Sequence, residues 1–290
     1  MANHPPATQG GVTDWGSDFF GTVNEMPAEP AGLIGQVLDV MASLPAFRDA
    51  RHWLLRNLGI SQGSSVIEAG CGTGAALPDV LAVVGMTGRV VGIDATYAFV
   101  DRARIRARDL GASGARYEVG DIRSIPSEDG EFDAAFCEKV LLHAGPPKAA
   151  LAEMARVTRD GGSVGAIEWL PFFVISSTRS ETIEAFNAIF KRAVYDYGVS
   201  GNLARHFRAA DLNDIRTKAF LAHTDNLDAH PFWRTFIVHQ MPMFIQAGLI
   251  EDSTARAFLA DIEELNADGT FSASFVVQAA VGTKEATLGT

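Results

Sequence analysis

The chain is predicted to fold as an α/β protein, a mostly parallel seven-stranded sheet with helices on both faces. Three observations predict it. Short apolar runs alternate with helix-length amphipathic stretches from Ser65 to Glu168, the pattern of a parallel sheet with right-handed crossovers. Each early run ends in or beside a carboxylate: Glu68, Asp94, Asp121 and Glu138. The first run breaks into a glycine-rich turn, Gly70-Cys71-Gly72-Thr73-Gly74. In sheets of this kind the ligand lies at the carboxyl ends of the strands, where all four acids fall.

Composition sets outer bounds. With 290 residues, 47% of them apolar, the chain is long enough for one large domain with a sizeable core. A net charge of −11 argues against a nucleic-acid backbone or an anionic membrane as partner. No apolar run is long enough to span a bilayer. Met1-Ala2-Asn3-His4-Pro5-Pro6 lacks the basic and apolar regions of a signal peptide, so a cytoplasmic location is expected. Cys71 and Cys137 are the two cysteines; they suggest neither a disulfide framework nor a metal site.

Three parts are expected: residues 1–60, a tail with packing helices; 61–169, a ligand-binding core; and 170–290, helical insertions around the last two strands. Residues 1–14 read as a disordered tail, and Trp15, Phe19 and Phe20 as its tether or as a flap. Leu33, Ile34, Val37, Leu38, Met41 and Leu44 recur at helical spacing. So do Phe47, Trp53, Leu54, Leu55 and Leu58, and Arg51 and His52 read as the solvated face of that second helix.

The run Val66 to Ala69 is the first strand. The glycines allow positive φ and bring bare backbone to a ligand, and a helix starting at Ala75 turns its free N–H groups the same way. Pro78 suits a first helical turn. Gly70-x-Gly72-x-x-Ala75 also fits the dinucleotide fingerprint, but Glu68 would repel a diphosphate and suits a ligand carrying an ammonium group and hydroxyls. Arg89 to Asp94 is the second strand, and Asp94 lies about twenty residues past the turn, where a ribose-binding carboxylate belongs. Ala98 to Arg108 reads as a helix with a solvated basic face. Tyr117 to Ile122, Phe132 to Glu138 and Ser163 to Glu168 are the third, fourth and fifth strands.

Glu68-Ala69-Gly70-Cys71-Gly72-Thr73-Gly74, Asp94, Gly120-Asp121 and Phe132-Asp133-Ala134 resemble the successive motifs of the class I S-adenosylmethionine-dependent methyltransferases. Arg156 to Gly162 is similar to the helix-turn before the fifth strand in their small-molecule branch, which includes the ubiquinone/menaquinone biosynthesis methyltransferases. The resemblance covers about residues 50–170. It implies a Rossmann-like sheet whose last strand is antiparallel, and S-adenosyl-L-methionine as cofactor. It further implies that Glu68, Gly70, Cys71, Gly72 and Gly74 hold the methionine end, and that Asp94 and Ala95 lie at the ribose. Asp121 and Ile122 would then bracket the adenine, and Cys137 and Glu138, with Lys139, approach the reacting carbon. Glu138-Lys139 is more charged than this place usually is in the family.

Past Glu168, helices are expected at 182–197, 203–207 and 225–267, a sixth strand at Asp214–Leu221 and a seventh at Phe271–Val281. The insertions read as a helical lid. Trp169, Phe172, Tyr195, Trp233 and Met241, with Phe173, Tyr197, Phe232, Met243 and Phe244, are candidates to line an apolar acceptor pocket, and equally to pack the lid onto the sheet. His143, one turn past the fourth strand, is the candidate base, with His206, His230 and His239 as alternatives.

Three readings follow: a methyltransferase acting on a small, lipophilic or aromatic metabolite; a nicotinamide-dependent oxidoreductase; and a methyltransferase-like protein that binds the cofactor without methyl transfer. The acceptor atom, oxygen, nitrogen or carbon, is open, as is the choice between monomer and homodimer.

Overall fold

A computed structural model describes residues 23–25, 28–177, 179–194 and 196–285. Trp15, Phe19, Phe20 and Tyr195 lie outside the described residues.

The strands are β1 (Ser65–Ala69), β2 (Arg89–Asp94), β3 (Ala115–Val119), β4 (Phe132–Glu138), β5 (Thr158–Ile175), β6 (Leu212–Thr224) and β7 (Ala273–Lys284). They form one seven-stranded sheet in the order β3-β2-β1-β4-β5-β7-β6. Pairings from β3 through β5 are parallel; β7 runs antiparallel to both of its neighbours. The expected sheet is present, including its reversed last strand. The chain steps from β3 across to β4 on the far side of β1, so the strand order reverses between β1 and β4 and opens a crevice at their carboxyl ends.

Ten helices flank the sheet among the described residues: α1 (Ala28–Ser43), α2 (Pro45–Asn57), α3 (Leu77–Val84), α4 (Tyr97–Asp109), α5 (Pro147–Val157), α6 (Ser180–Ala193), α7 (Leu203–Ala209), α8 (Pro231–Arg234), α9 (Met241–Gln246) and α10 (Asp252–Ala267). Strands β1 and β4 are buried almost end to end, as their unbroken apolar runs require of strands covered on both faces. Pro78 sits in the first turn of α3 as expected, but that helix begins at Leu77, not Ala75. The glycine turn is therefore longer than its sequence suggests.

The fifth strand departs most from expectation. It continues past Glu168 to Ile175, with a register shift between Leu170 and Val174. Trp169 and Phe173 are therefore strand residues facing a helical layer, where they sit 5.3 and 5.2 Å from the Phe275 ring of β7. Phe186 and Phe190 of α6 close on Phe173 at 5.5 Å each, and Phe236 approaches Trp169 at 5.7 Å. This aromatic cluster holds α6 against β5, Phe232 of α8 reaches Phe275 of β7 at 5.2 Å, and Phe258 of α10 stacks on Phe186 of α6 at 4.9 Å.

Candidate functional site

A cleft of about 280 Å³ opens over the carboxyl ends of β1 to β4 and is walled by α1 and α2. Its floor is the glycine turn. Gly70, Gly72 and Gly74 all have positive φ, at 76°, 50° and 71°. They differ in what lies beyond the missing side chain. A Cβ on Gly70 would meet Val140 at 2.4 Å, and one on Gly74 would meet Ala103 of α4 at 2.9 Å. A Cβ on Gly72 meets nothing nearer than Leu38 at 3.7 Å. Gly72 thus presents backbone to the cleft. Gly74, also expected to hold the ligand, does not line it and serves close packing of α4 under the turn.

The turn is held from the next strand. The Gly70 and Cys71 amides donate to the Ile93 carbonyl at 2.7 and 2.8 Å. Asp94 accepts from the Gly72 amide at 2.8 Å and from the Thr96 amide at 2.9 Å. Burial raises its pKa against those bonds. One carboxylate therefore shapes the turn and borders the cleft.

Glu68 is 4% exposed and lines the cleft, and its Oε2 has no hydrogen-bond partner. Burial, reinforced by the nearby Glu138 charge and opposed by Arg51 and Lys139, pushes its pKa up to about 8. Glu138 is as deeply placed but behaves in the opposite way. Burial works against its ionisation too, yet the charges of Arg51 and Lys139 overcome it and hold the pKa at about 2. Arg51 reaches Glu138 from α2 through Nε at 2.7 Å and Nη2 at 3.0 Å, reaches Asp79 of α3 at 2.7 Å, and donates to the Ala42 carbonyl at the end of α1 at 3.2 Å. Lys139 pairs with Glu138 and places its ammonium 4.6 Å from the Phe47 ring centre.

Two readings of charge need correction. Arg51 is not part of a solvated face; it is 2% exposed. A signal existed, because Arg51 falls four residues after Phe47 and three before Leu54, inside the apolar stripe. The basic face of α4 is also engaged: Arg102 and Arg106 pair with Asp39 of α1 at 2.7 and 3.0 Å, and Arg106 donates to the Thr73 carbonyl at 2.8 Å. Asp39 further accepts from the Thr73 hydroxyl. No local pattern identifies Asp39, since its partners lie more than thirty residues away.

The remaining expected residues sort by strand alternation. Cys71, Ala95, Asp121, Ile122 and His143 line the cleft. Asp121 is paired with Arg123 at 2.8 Å, and that bond lowers its pKa. Burial holds the His143 imidazole neutral, with a pKa near 3. Cys137 is fully buried and does not line the cleft, because it precedes Glu138 on β4 and points to the other face. The expected aromatic lining is also corrected. Trp169, Trp233 and Met241 are buried in the core beneath the helical layer, and Phe172 is exposed on the sheet; none lines this cleft. The wall in that position is supplied by Leu38 and Ala42 of α1.

Residues 60–171 match the family model described as "Methyltransferase domain". This segment is similar to methyltransferase domains. It contains β1 to β4 and most of β5, hence the whole cleft floor. A sterol 24-C-methyltransferase of Gibberella zeae is 29% identical over 189 residues, 63% of this chain and 48% of its own. A ubiquinone/menaquinone biosynthesis C-methyltransferase of Geobacter sp. is 28% identical over 142 residues, 47% of this chain and 60% of its own. The chain thus spans about half the length of the curated relatives it matches. The crystal structure of the YcgJ protein of Bacillus subtilis shares the fold, with a TM-score of 0.58 over 83% of this chain and all of that one, at 16% identity. The matched segment carries the class I resemblance read from the motifs. Among the described residues no helix is long and apolar enough to cross a membrane, and no cluster of side chains fits a metal ion.

Proposed function

We propose that the chain is an S-adenosyl-L-methionine-dependent methyltransferase that methylates a small, lipophilic or aromatic metabolite at oxygen, nitrogen or carbon. One observation carries the reading: the unpartnered, buried Glu68 oxygen in the cleft beside the glycine turn. A buried acid there is matched to an ammonium group, which draws out its ionised form, and offers a diphosphate no cation, which argues against the nicotinamide-dependent alternative. The open space at Gly72 and the position of Asp94 support the same ligand. The cofactor, when bound, supplies a methyl group activated by a sulfonium.

On this reading Glu68 faces the amino group, the Gly70–Thr73 backbone faces the methionine end and Asp94 accepts from the ribose hydroxyls. Ala95, Asp121 and Ile122 border the adenine. The charged set of Arg51, Glu138 and Lys139 fixes the wall nearest the reacting carbon. Because the leaving group is good, the chain's task is chiefly approximation and exclusion of water. His143 orients the acceptor and takes a hydrogen bond from it; an imidazole held so far below neutrality is a weak base. Methyl transfer to lipophilic acceptors in the sterol and quinone relatives supports the acceptor class, as does the apolar wall of Leu38, Ala42 and Val140.

The test is binding and then product. S-adenosylhomocysteine is expected to raise the melting temperature and NADH to leave it unchanged. A methylated product from a panel of lipophilic phenols, enols and amines separates transfer from cofactor binding alone. Stabilisation by NADH and not by S-adenosylhomocysteine would reverse the assignment.

A further inference from the structure

Glu68 sits among groups that leave its buried Oε2 no hydrogen-bond partner. From α2, Arg51 is committed to Glu138 and Asp79; from the end of β4, Lys139 is committed to Glu138. From β2, Asp94 faces it as a second acid, and Cys71 on the turn, Tyr117 on β3 and Cys137 on β4 lie close enough to sense its charge. The Tyr117 hydroxyl is buried without a partner of its own. A cleft with this lining holds two carboxylates, Glu68 and Glu138, close together behind a fixed pair of cations. Glu138 takes both cations. Burial and that neighbouring charge then favour Glu68 as the neutral acid, with a pKa about 8.

Resting on the functional reading above, we infer that Glu68 selects a ligand bearing an ammonium group by exchange: it gives its proton to solvent as the ligand's ammonium group takes the proton's place. The balance is local to Glu68. The Glu68 O–H bond breaks, the proton leaves to buffer, and the carboxylate stays paired with the incoming ammonium group, so one positive charge replaces another at that oxygen. A ligand without the ammonium group brings no cation to Glu68 and leaves the proton where it is. The cleft therefore discriminates by that group as well as by shape. Its affinity for a ligand that carries the group is tied to pH: each unit below the Glu68 pKa adds the cost of removing the proton.

The experiment is isothermal titration calorimetry of the full chain at pH 7 in phosphate and in Tris, whose ionisation heats differ. The ligands are S-adenosylhomocysteine, which carries the ammonium group, and 5′-methylthioadenosine, which lacks it. The expected result is release of close to one proton per S-adenosylhomocysteine and none for methylthioadenosine. S-adenosylhomocysteine affinity should rise about tenfold per pH unit from 6 to 7 and flatten toward 8. Glu68→Gln should abolish the release. If that variant binds too weakly to titrate, the pH dependence in the wild type decides alone. Equal proton release for both ligands, no release, or a flat affinity between pH 6 and 8 would overturn the exchange while leaving cofactor binding intact. Failure of S-adenosylhomocysteine to bind in either buffer would instead overturn the functional reading, and the exchange with it.

Discussion

Arg51 and Glu138 form a buried two-point ion pair, 2.7 and 3.0 Å long, between a helix before the sheet and the end of its fourth strand. They are eighty-seven residues apart. The pair joins the wall of the cleft to its floor, and its neighbours Asp79 and Lys139 complete a set with no net charge. Removing one member leaves another uncompensated in a largely buried site, which costs far more than the intact pair contributes.

Arg51→Met is accordingly expected to destabilise the fold by about 3–5 kcal/mol in urea denaturation. Adding Glu138→Gln should restore part of that loss, because it removes the stranded charge. A single variant within ~0.5 kcal/mol of wild type would show that the pair is open to water.

The glycines of the turn are predicted to fail in different ways. Gly72→Val should keep the native circular dichroism and lose S-adenosylhomocysteine binding, since its side chain enters the cleft; the left-handed backbone adds a strain of about 1–2 kcal/mol. Gly70→Ala should lose stability first, because its methyl overlaps Val140. Normal binding by Gly72→Val would move the ligand elsewhere.

Trp169→Ala tests the division between core and cleft. Trp169 is ringed by Phe173, Phe190, Phe236 and Phe275, so truncation should cost about 3–5 kcal/mol. Cofactor affinity, measured well below the melting temperature, should stay within about twofold of wild type. Normal stability together with a raised KM for the acceptor would return this residue to a pocket.

Glu168 sets a pH dependence. It is fully buried, accepts from the Val140 and Leu141 amides through Oε1, and has no partner at Oε2; burial, opposed by those amides, raises its pKa to about 8. The unfolded chain releases this proton near pH 4.5 and the folded one only near 8. Its contribution is therefore whole below about pH 4 and drains away as pH climbs to 8. Glu168→Gln cannot titrate. Its stability relative to wild type should grow between pH 5 and 8 by on the order of 3–4 kcal/mol, read from denaturation midpoints. A constant difference across that range would mean that Glu168 is ionised throughout.

Much of the site was legible from residues adjacent in the chain. The strand, glycine turn and acid at Glu68 to Gly74 form one local unit, and Asp94 and Asp121 each close a strand. Such units carry their geometry in backbone sterics and period-two alternation, which need no distant partner. The same alternation places Cys137 away from the cleft, since Glu138 beside it faces in.

What tertiary structure alone decided is where the long side chains go. Arg51 and Arg106 read as surface until α1 and α3 bring Asp39 and Asp79 to them, because a buried charge is tolerated only beside a partner. Trp169 and Trp233 read as either pocket or packing until the extended β5 and the helices around it enclose them. Composition and spacing state which groups exist and which face of an element they share. Which face is covered, and by what, depends on contacts between segments far apart in the chain, and that also determines that Glu68 is left without a partner while Glu138 has two.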